Sequence, residues 1–109
     1  MTIDVQSFII MHMAFSIHFN EEKNQLLRAT RGIAFEEIID SIQGSGLLAD
    51  IVHLSKQRPN QRVYVVRIQN YAYAVPYVIN VQKKEIFLKT IYPSRALTKK
   101  YVQEGDSHD

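Results

Sequence analysis

A chain of 109 residues with 46% apolar side chains is long enough for one hydrophobic core and too short for two, so we predict a single domain. The absence of cysteine excludes a disulfide framework, a thiolate metal site and a thiol nucleophile. The formal net charge is only +2, but residues 56–101 carry ten basic side chains and one acidic, whereas residues 1–55 carry seven acidic and three basic. This distribution favours a polyanion as the partner of one face. The alternative is that the basic side chains are solvated charges that protect strand edges.

The ends of the chain are expected to lie outside the domain. We expect residues 1–13 to form an irregular tail, residues 14–102 to form the domain, and residues 103–109 to form an acidic tail. The apolar run near the start follows an aspartate, includes a histidine and lacks a basic leading region, so it resembles neither a signal peptide nor a membrane helix. Met13 is an alternative natural start, and the cytoplasm is the expected location.

The first elements of the domain are predicted to be a strand and a capped helix. Residues 14–19 alternate apolar and polar side chains, as in a half-buried strand. Asn20 is a suitable N-cap for a helix over residues 21–30, and Gly32 can end it because glycine tolerates a positive φ. The buried side of this helix is expected to consist of Leu26 and Leu27.

A second helix is predicted over residues 34–42, followed by a sheet that extends to Pro93. The apolar stripe of this helix is assigned to the core and consists of Phe35, Ile38, Ile39 and Ile42. The predicted strands are residues 47–53, 62–68, 71–79 and 86–92, with a polar loop over 54–61. Gln69-Asn70 is expected to form a tight hairpin turn, and Pro76 to lie at a sheet edge or a bulge.

The order of elements predicts an α+β domain. Two N-terminal helices would pack on a mainly antiparallel sheet of four to five strands, and Ser94 would cap a short C-terminal helix. No cofactor loop is visible, and the four histidines lack metal-ligand spacing, so we expect neither a cofactor nor a metal site. The remaining chemistry is that of lysine, arginine, tyrosine and histidine. These side chains can bind phosphate, stack on bases and transfer protons, which is what RNA cleavage requires.

The candidate catalytic residues lie mainly where the last strand meets the C-terminal helix. Lys89 is expected on the same face as Phe87 and Ile91, either as a phosphate-binding cation or as edge protection. Arg95 would contact phosphate or form a surface ion pair, and Tyr92 would stack, donate a proton or simply pack. His53 is the remaining catalytic candidate, as an acid or a base, and the alternative is an ordinary loop residue. The candidate RNA contacts are Lys56, Arg58, Arg62 and Lys99.

Several of these segments resemble one family. Asn20-Glu-Glu-Lys23, followed after eight residues by Gly32-Ile-Ala-Phe-Glu-Glu37, resembles the opening of BrnT-type toxins, where Asp-x-x-Lys precedes Gly-Val-x-Phe-Glu-Glu. The similarity continues at Asp50, His53 and Arg62, and it closes with Ser94-Arg95 and Thr98, similar to the family's Arg-x-x-Thr. The chain departs from the family where Asn20 replaces aspartate, Gln61 replaces glutamate, and Lys99 follows Thr98 in place of the expected glutamate.

The resemblance implies a RelE-like fold and the toxin of a type II toxin-antitoxin system. Such a toxin is a metal-independent endoribonuclease that cleaves RNA, in the wider superfamily often mRNA on the ribosome, and thereby inhibits translation and growth. A cognate antitoxin would neutralise it, and the complex would bind operator DNA. Lys89 and Arg95 would hold the scissile phosphate while His53, Tyr92 or a lysine transfers protons. The alternative is a non-catalytic module that uses the same basic sheet to bind RNA or a protein.

Overall fold

The computed structural model describes residues 15–52 and 61–103, so the tail residues 1–13 and 104–109 and the predicted loop residues 54–60 fall outside them. The described residues form an α+β fold with a mixed, mostly antiparallel sheet, which confirms the predicted class. The elements in chain order are β1 Ser16–Phe19, α1 Glu21–Arg31, α2 Phe35–Gln43, β2 Leu47–Val52, β3 Gln61–Ile68, β4 Tyr71–Asn80, β5 Glu85–Leu88, β6 Tyr92–Pro93, α3 Arg95–Thr98 and a π-helical turn Lys99–Gln103.

The described residues contribute six strands to the sheet, in the order β1-β5-β4-β3-β2, with β6 paired to β4. β1 runs parallel to β5, and the remaining neighbours are antiparallel. The sheet of the described residues has six strands where four to five were predicted, because the strand predicted over residues 86–92 is divided: β5 ends at Leu88 and pairing resumes only at Tyr92. The β3–β4 hairpin turns at Gln69-Asn70 as predicted, with Gln69 at a φ of 58°.

Pro76 lies within the central strand β4, so the expectation of an edge position was wrong. The alternative of a bulge is closer, because the register with β4 shifts by one residue between Leu88 and Tyr92, opposite Pro76. The Pro76 carbonyl accepts a 2.8 Å hydrogen bond from the N–H of Lys89. The N–H and C=O of one residue point to the same side of a strand, so the missing N–H of Pro76 faces the interval between β5 and β6. Proline is tolerated because residues 89–91 are not a strand.

The ends of α1 follow the predicted chemistry. The Asn20 side chain accepts a 2.9 Å hydrogen bond from the N–H of Lys23, and Gly32 has a φ of 66°. Leu27 is buried as expected, but the prediction for Leu26 was wrong, because this side chain is 54% exposed. Successive helical residues are rotated by about 100°, and the buried stripe of α1 passes through Asn24 and Leu27 instead.

Two apolar clusters lie on opposite sides of the sheet. The larger cluster packs α1 and α2 against the sheet and contains, among others, Leu27, Phe35, Ile38, Ile42, Val66, Val75, Ile86 and Leu88. The smaller cluster packs α3 and the π-helical turn against the opposite side, and its members are Ala49, Val65, Ala72 and Val102, with Leu48, Ile51, Leu97 and Tyr101 partly buried against them. We call this opposite side the far side of the sheet. None of the helices in the described ranges is long and apolar enough to cross a membrane.

Candidate functional site

Three exposed side chains lie in a row along β5 and β6 on the far side of the sheet. They are Phe87 in β5, Tyr92 in β6 and Lys89 between the two strands, and we call them the exposed strip. β4 pairs with Phe87 through Val78 and with Tyr92 through Ala74, and the N–H of Lys89 bonds to β4 between these two pairs. Phe87 is 37% exposed and Tyr92 41% exposed. The ammonium nitrogen of Lys89 lies 5.7 Å from the centroid of the Phe87 ring. The strip therefore presents two aromatic surfaces with a cation between them.

The pairing with β4 shifts by one residue between Leu88 and Tyr92, and this register shift changes which side chains share a face. Ile91 is fully buried in the larger cluster, so the expectation that it lies beside Lys89 and Phe87 was wrong. The guanidinium of Arg31, at the end of α1, donates a hydrogen bond to the Ile91 carbonyl. The register shift therefore turns Ile91 into the core while Lys89 and Tyr92 stay exposed.

Thr98 and Ser94 attach the start of α3 to β4. The hydroxyl of Thr98 accepts a 2.8 Å hydrogen bond from the N–H of Ala72, and the N–H of Ser94 donates to the Ala72 carbonyl at 3.0 Å. The Ser94 hydroxyl also caps α3 as predicted, accepting from the N–H of Leu97 at 3.1 Å. Arg95 therefore begins its helix next to the end of the strip that contains Tyr92.

Arg95 and Lys99 are exposed, and neither forms an ion pair within residues 15–52 and 61–103. The predicted alternative of an ion pair between Arg95 and the acidic N-terminal half is thus not seen among these residues. Lys100 lies over the ring of Tyr101, with its nitrogen 5.3 Å from the ring centroid. The C-terminal helix consequently extends the basic surface beyond the strip.

His18 lies beside the strip and was not singled out by the sequence. β1 pairs with β5 in parallel, with Ser16 next to Glu85 and His18 next to Phe87. The Nε2 atom of His18 lies 2.8 Å from the Ser16 hydroxyl and 3.5 Å from a carboxylate oxygen of Glu85. Alternation within residues 16–19 indicates that His18 faces away from the core, but only the pairing of β1 with β5 brings it to Phe87.

Arg62, one of the predicted RNA contacts, faces the helix side of the sheet and not the far side. Its register partner is Tyr77, and its guanidinium forms a 3.2 Å ion pair with Asp50, whose side chain is 1% exposed. The Tyr77 hydroxyl donates a 2.7 Å hydrogen bond to the same carboxylate. The ring of Tyr77 stacks on that of Tyr64, with centroids 3.7 Å apart. These contacts give Arg62 a structural role, because it is the ion-pair partner of the buried Asp50 carboxylate.

Burial controls the ionisation of the two stacked tyrosines. Removal from water disfavours the phenolate and raises the pKa values of Tyr64 and Tyr77 well above the usual range. The negative charge of Asp50 raises both pKa values further. Both hydroxyls therefore stay protonated at neutral pH, and Tyr77 can act as a permanent donor to Asp50.

Three predicted site residues, His53, Lys56 and Arg58, lie outside the described residues. Val52 and Gln61 flank that segment, and the sheet register places them at the Val78 end of β4. Arg95 begins its helix at the opposite end of that strand, beside Ala72. The described part of the chain thus brings Lys89, Tyr92 and Arg95 to one side of the sheet, with His18 as an addition.

Charge is distributed differently over the two sides of the molecule. The exposed acidic side chains of α1 and α2 are Glu21, Glu22, Glu36, Glu37 and Asp40. The exposed cations of the far side are Lys89, Arg95, Lys99 and Lys100. Because α1 also carries the exposed cations Arg28 and Arg31, the helical side is mixed in charge, and a polyanion would be attracted more strongly to the far side. The described residues contain no group of three or more histidine, cysteine, aspartate or glutamate side chains that could hold a metal ion.

Several of the residues that carry the family resemblance have structural roles here. Asn20 caps α1, Gly32 ends it, and Phe35 is fully buried at the start of α2. Glu37 accepts a 2.9 Å hydrogen bond from the N–H of Ala34, and Thr98 attaches α3 to the sheet. Comparison of the chain with models of protein families, with curated proteins and with solved structures finds no match.

Proposed function

We propose that this protein is a metal-independent endoribonuclease with a RelE-like fold, the toxin of a type II toxin-antitoxin system. The observation that carries the proposal is the exposed strip, in which Lys89 lies between the rings of Phe87 and Tyr92 on the basic side of the sheet. Single-stranded RNA is bound by combinations of this kind, because aromatic rings stack on bases while cations neutralise the backbone. The family resemblance adds the expectation of toxicity and of an antitoxin partner.

The chemistry of RNA cleavage fits the side chains on this surface. Attack of a 2′-hydroxyl on the adjacent phosphorus builds negative charge on the phosphoryl oxygens, and cations placed nearby stabilise that charge. Lys89 and Arg95 are the cations assigned to this role. Neither is engaged by an acidic side chain within the described ranges, so both are available to a phosphate. Tyr92, exposed beside them, is assigned to base stacking or to proton donation.

Induced expression in a bacterial host with RNA-end mapping tests this proposal. The wild-type protein should arrest growth and produce new RNA ends, and Lys89→Ala and Arg95→Ala should each lower the cleavage rate by about 100-fold or more. Lys83→Ala is the matched control, because it removes an exposed lysine from the β4–β5 turn, away from the strip. Co-expression of a cognate antitoxin should reverse the growth arrest.

A non-catalytic module using the same strip would give a different pattern. It would retain RNA in a binding assay, lose that binding on Lys89→Ala, and yield no new RNA ends at any protein concentration. Equal growth arrest by the wild type and by both strip variants would show that the site lies elsewhere.

A further inference from the structure

The contacts of His18 determine which of its ring nitrogens can transfer a proton. Both Ser16 and Glu85 contact Nε2, at 2.8 and 3.5 Å. In a serine-hydrolase triad the acid and the serine contact different ring nitrogens, so that a proton can pass through the imidazole. Ser16 is therefore not arranged as an activated nucleophile, although serine, histidine and glutamate lie together.

The contact with Glu85 favours one tautomer of the neutral ring, whereas the Ser16 hydroxyl can either donate to Nε2 or accept from it. A carboxylate accepts hydrogen bonds and cannot donate one when ionised, so Glu85 favours a proton on Nε2 of His18. The lone pair then resides on Nδ1, which has no hydrogen-bond partner within residues 15–52 and 61–103. A nitrogen in this state is a proton acceptor.

His18 also lies close enough to the strip to reach the ribose of a nucleotide that is bound there. Neighbouring strands lie about 4.8 Å apart, and side chains two residues apart on one strand about 6.8 Å. Phe87 is the register neighbour of His18, and Lys89 follows it on the same side. A base stacked on the Phe87 ring would thus have its ribose and phosphate between an imidazole and an ammonium group.

We propose that His18 is the general base of this site and that Glu85 is its positioning residue, an assignment that rests on the proposed RNA cleavage. Nδ1 of His18 removes the proton of a ribose 2′-hydroxyl, and the oxygen attacks the adjacent phosphorus. The bond from phosphorus to the 5′-oxygen breaks, and that oxygen takes a proton from water while the imidazolium returns its own to solvent. The products are a 2′,3′-cyclic phosphate and a 5′-hydroxyl, with Lys89 stabilising the phosphorane.

Single-turnover cleavage of a short RNA by the purified full chain tests the assignment. His18→Asn should lower the cleavage rate by 100-fold or more and change the RNA dissociation constant by less than about threefold, since base catalysis contributes about 10²- to 10⁴-fold. Glu85→Gln should lower the rate constant at saturating RNA and leave unchanged the RNA concentration that gives half of the maximal rate constant. Val81→Ala, an exposed side chain on the β4–β5 turn, is the control.

Chemical rescue separates proton transfer from a structural role. Added imidazole should raise the cleavage rate of His18→Gly at least tenfold, and it should not raise the cleavage rate of Lys89→Ala. An RNA with a 2′-deoxyribose at the cleaved position should bind and remain intact. Cleavage by His18→Asn at the wild-type rate, or a folded His18→Gly that imidazole does not rescue, overturns the role of His18 while leaving the proposed function in place. Absence of RNA cleavage by the wild type overturns both.

Discussion

The side-chain hydroxyl of Thr98 is tied at once to β4 and to the start of its own helix. It accepts a 2.8 Å hydrogen bond from the N–H of Ala72 and donates a 2.7 Å hydrogen bond to the carbonyl of Ser94. Thr98 is 2% exposed, so water cannot replace these partners. A buried residue with no part in the chemistry thus holds α3, and with it Arg95, against the sheet.

Thr98→Val should therefore destabilise the protein by about 1–3 kcal/mol, because the N–H of Ala72 would stay buried without an acceptor. The measurement is the free energy of unfolding from urea denaturation. Thr98→Ser is the control, since it keeps the hydroxyl and loses only a methyl group. Equal stability of the valine and serine variants would show that the hydrogen bond contributes little.

Tyr77→Phe should cost about 1.5–3 kcal/mol in the free energy of unfolding, because a hydrogen bond to an ionised carboxylate is lost while Asp50 stays buried. Tyr71→Phe removes the same atom from a half-buried side chain, and its effect should be within about 0.5 kcal/mol. Similar losses for the two variants would argue against a stabilising role of the Tyr77–Asp50 bond.

The raised pKa values of Tyr64 and Tyr77 predict a loss of stability in alkali. Below about pH 10 both tyrosines are protonated in the folded and the unfolded chain, so their stabilising effect is fully present. Above it the unfolded chain releases protons that the folded chain keeps, and the free energy of unfolding falls by up to roughly 3 kcal/mol per pH unit for the pair. Urea denaturation from pH 8 to 11.5 measures the slope.

Phenylalanine substitutions should show how much each of the two tyrosines contributes to the fall in the free energy of unfolding per pH unit. Tyr64→Phe and Tyr77→Phe should each remove about half of it, whereas Tyr71→Phe should leave it unchanged. Ultraviolet absorbance of tyrosinate provides a second measurement, because Tyr64 and Tyr77 should ionise only as the protein unfolds. Ionisation of all six tyrosines with the fold intact would contradict the prediction.

Asn24 should prove to be a structural residue of the helical layer. It is fully buried, its carbonyl oxygen accepts a 2.7 Å hydrogen bond from the N–H of Phe35, and its amide donates at 2.8 Å to Glu36. Asn24→Ala should cost about 1–3 kcal/mol because the first turn of α2 loses its acceptor. Gln25→Ala, at an exposed neighbouring position, should be nearly neutral by thermal and urea denaturation.

The hydrogen bond from Asn24 also holds the pKa of Glu36 below its ordinary value, and Arg28 assists by its 3.1 Å ion pair with the same carboxylate. An NMR titration of Glu36 should therefore show its pKa rising in Asn24→Ala. An unchanged pKa in that variant would argue against the hydrogen bond in solution.

The two aromatic side chains of the strip should contribute to RNA affinity independently of catalysis. Phe87→Ala and Tyr92→Ala should each weaken binding of a short single-stranded RNA by about 5- to 150-fold, since stacking of one base contributes about 1–3 kcal/mol. Phe87→Tyr should bind as the wild type does, and Val81→Ala is the surface control. Fluorescence anisotropy with a non-cleavable 2′-deoxy or 2′-O-methyl analogue measures the affinity, and undiminished binding by both alanine variants would place the RNA elsewhere.

Local sequence patterns were sufficient wherever the responsible interaction spans a few residues. The cap at Asn20, the positive φ at Gly32, the turn at Gln69-Asn70 and the cap at Ser94 were all predicted and are confirmed. Each depends on side-chain chemistry within one turn of the chain, which neighbouring residues define. The α+β class followed from the order of these elements.

Long-range pairing decided what the local pattern left open. The alternation around Lys89 predicted that Ile91 shares its face, but the one-residue register shift before β6 turns Ile91 into the core, where Arg31 bonds to its carbonyl. Similarly, no spacing in the chain indicates that Asp50 pairs with Arg62 on the helix side, or that β1 runs parallel to β5 and carries His18 to Phe87. Periodicity shows that a residue is exposed, whereas strand order and register decide which exposed side chains meet, because those depend on contacts between residues far apart in the chain.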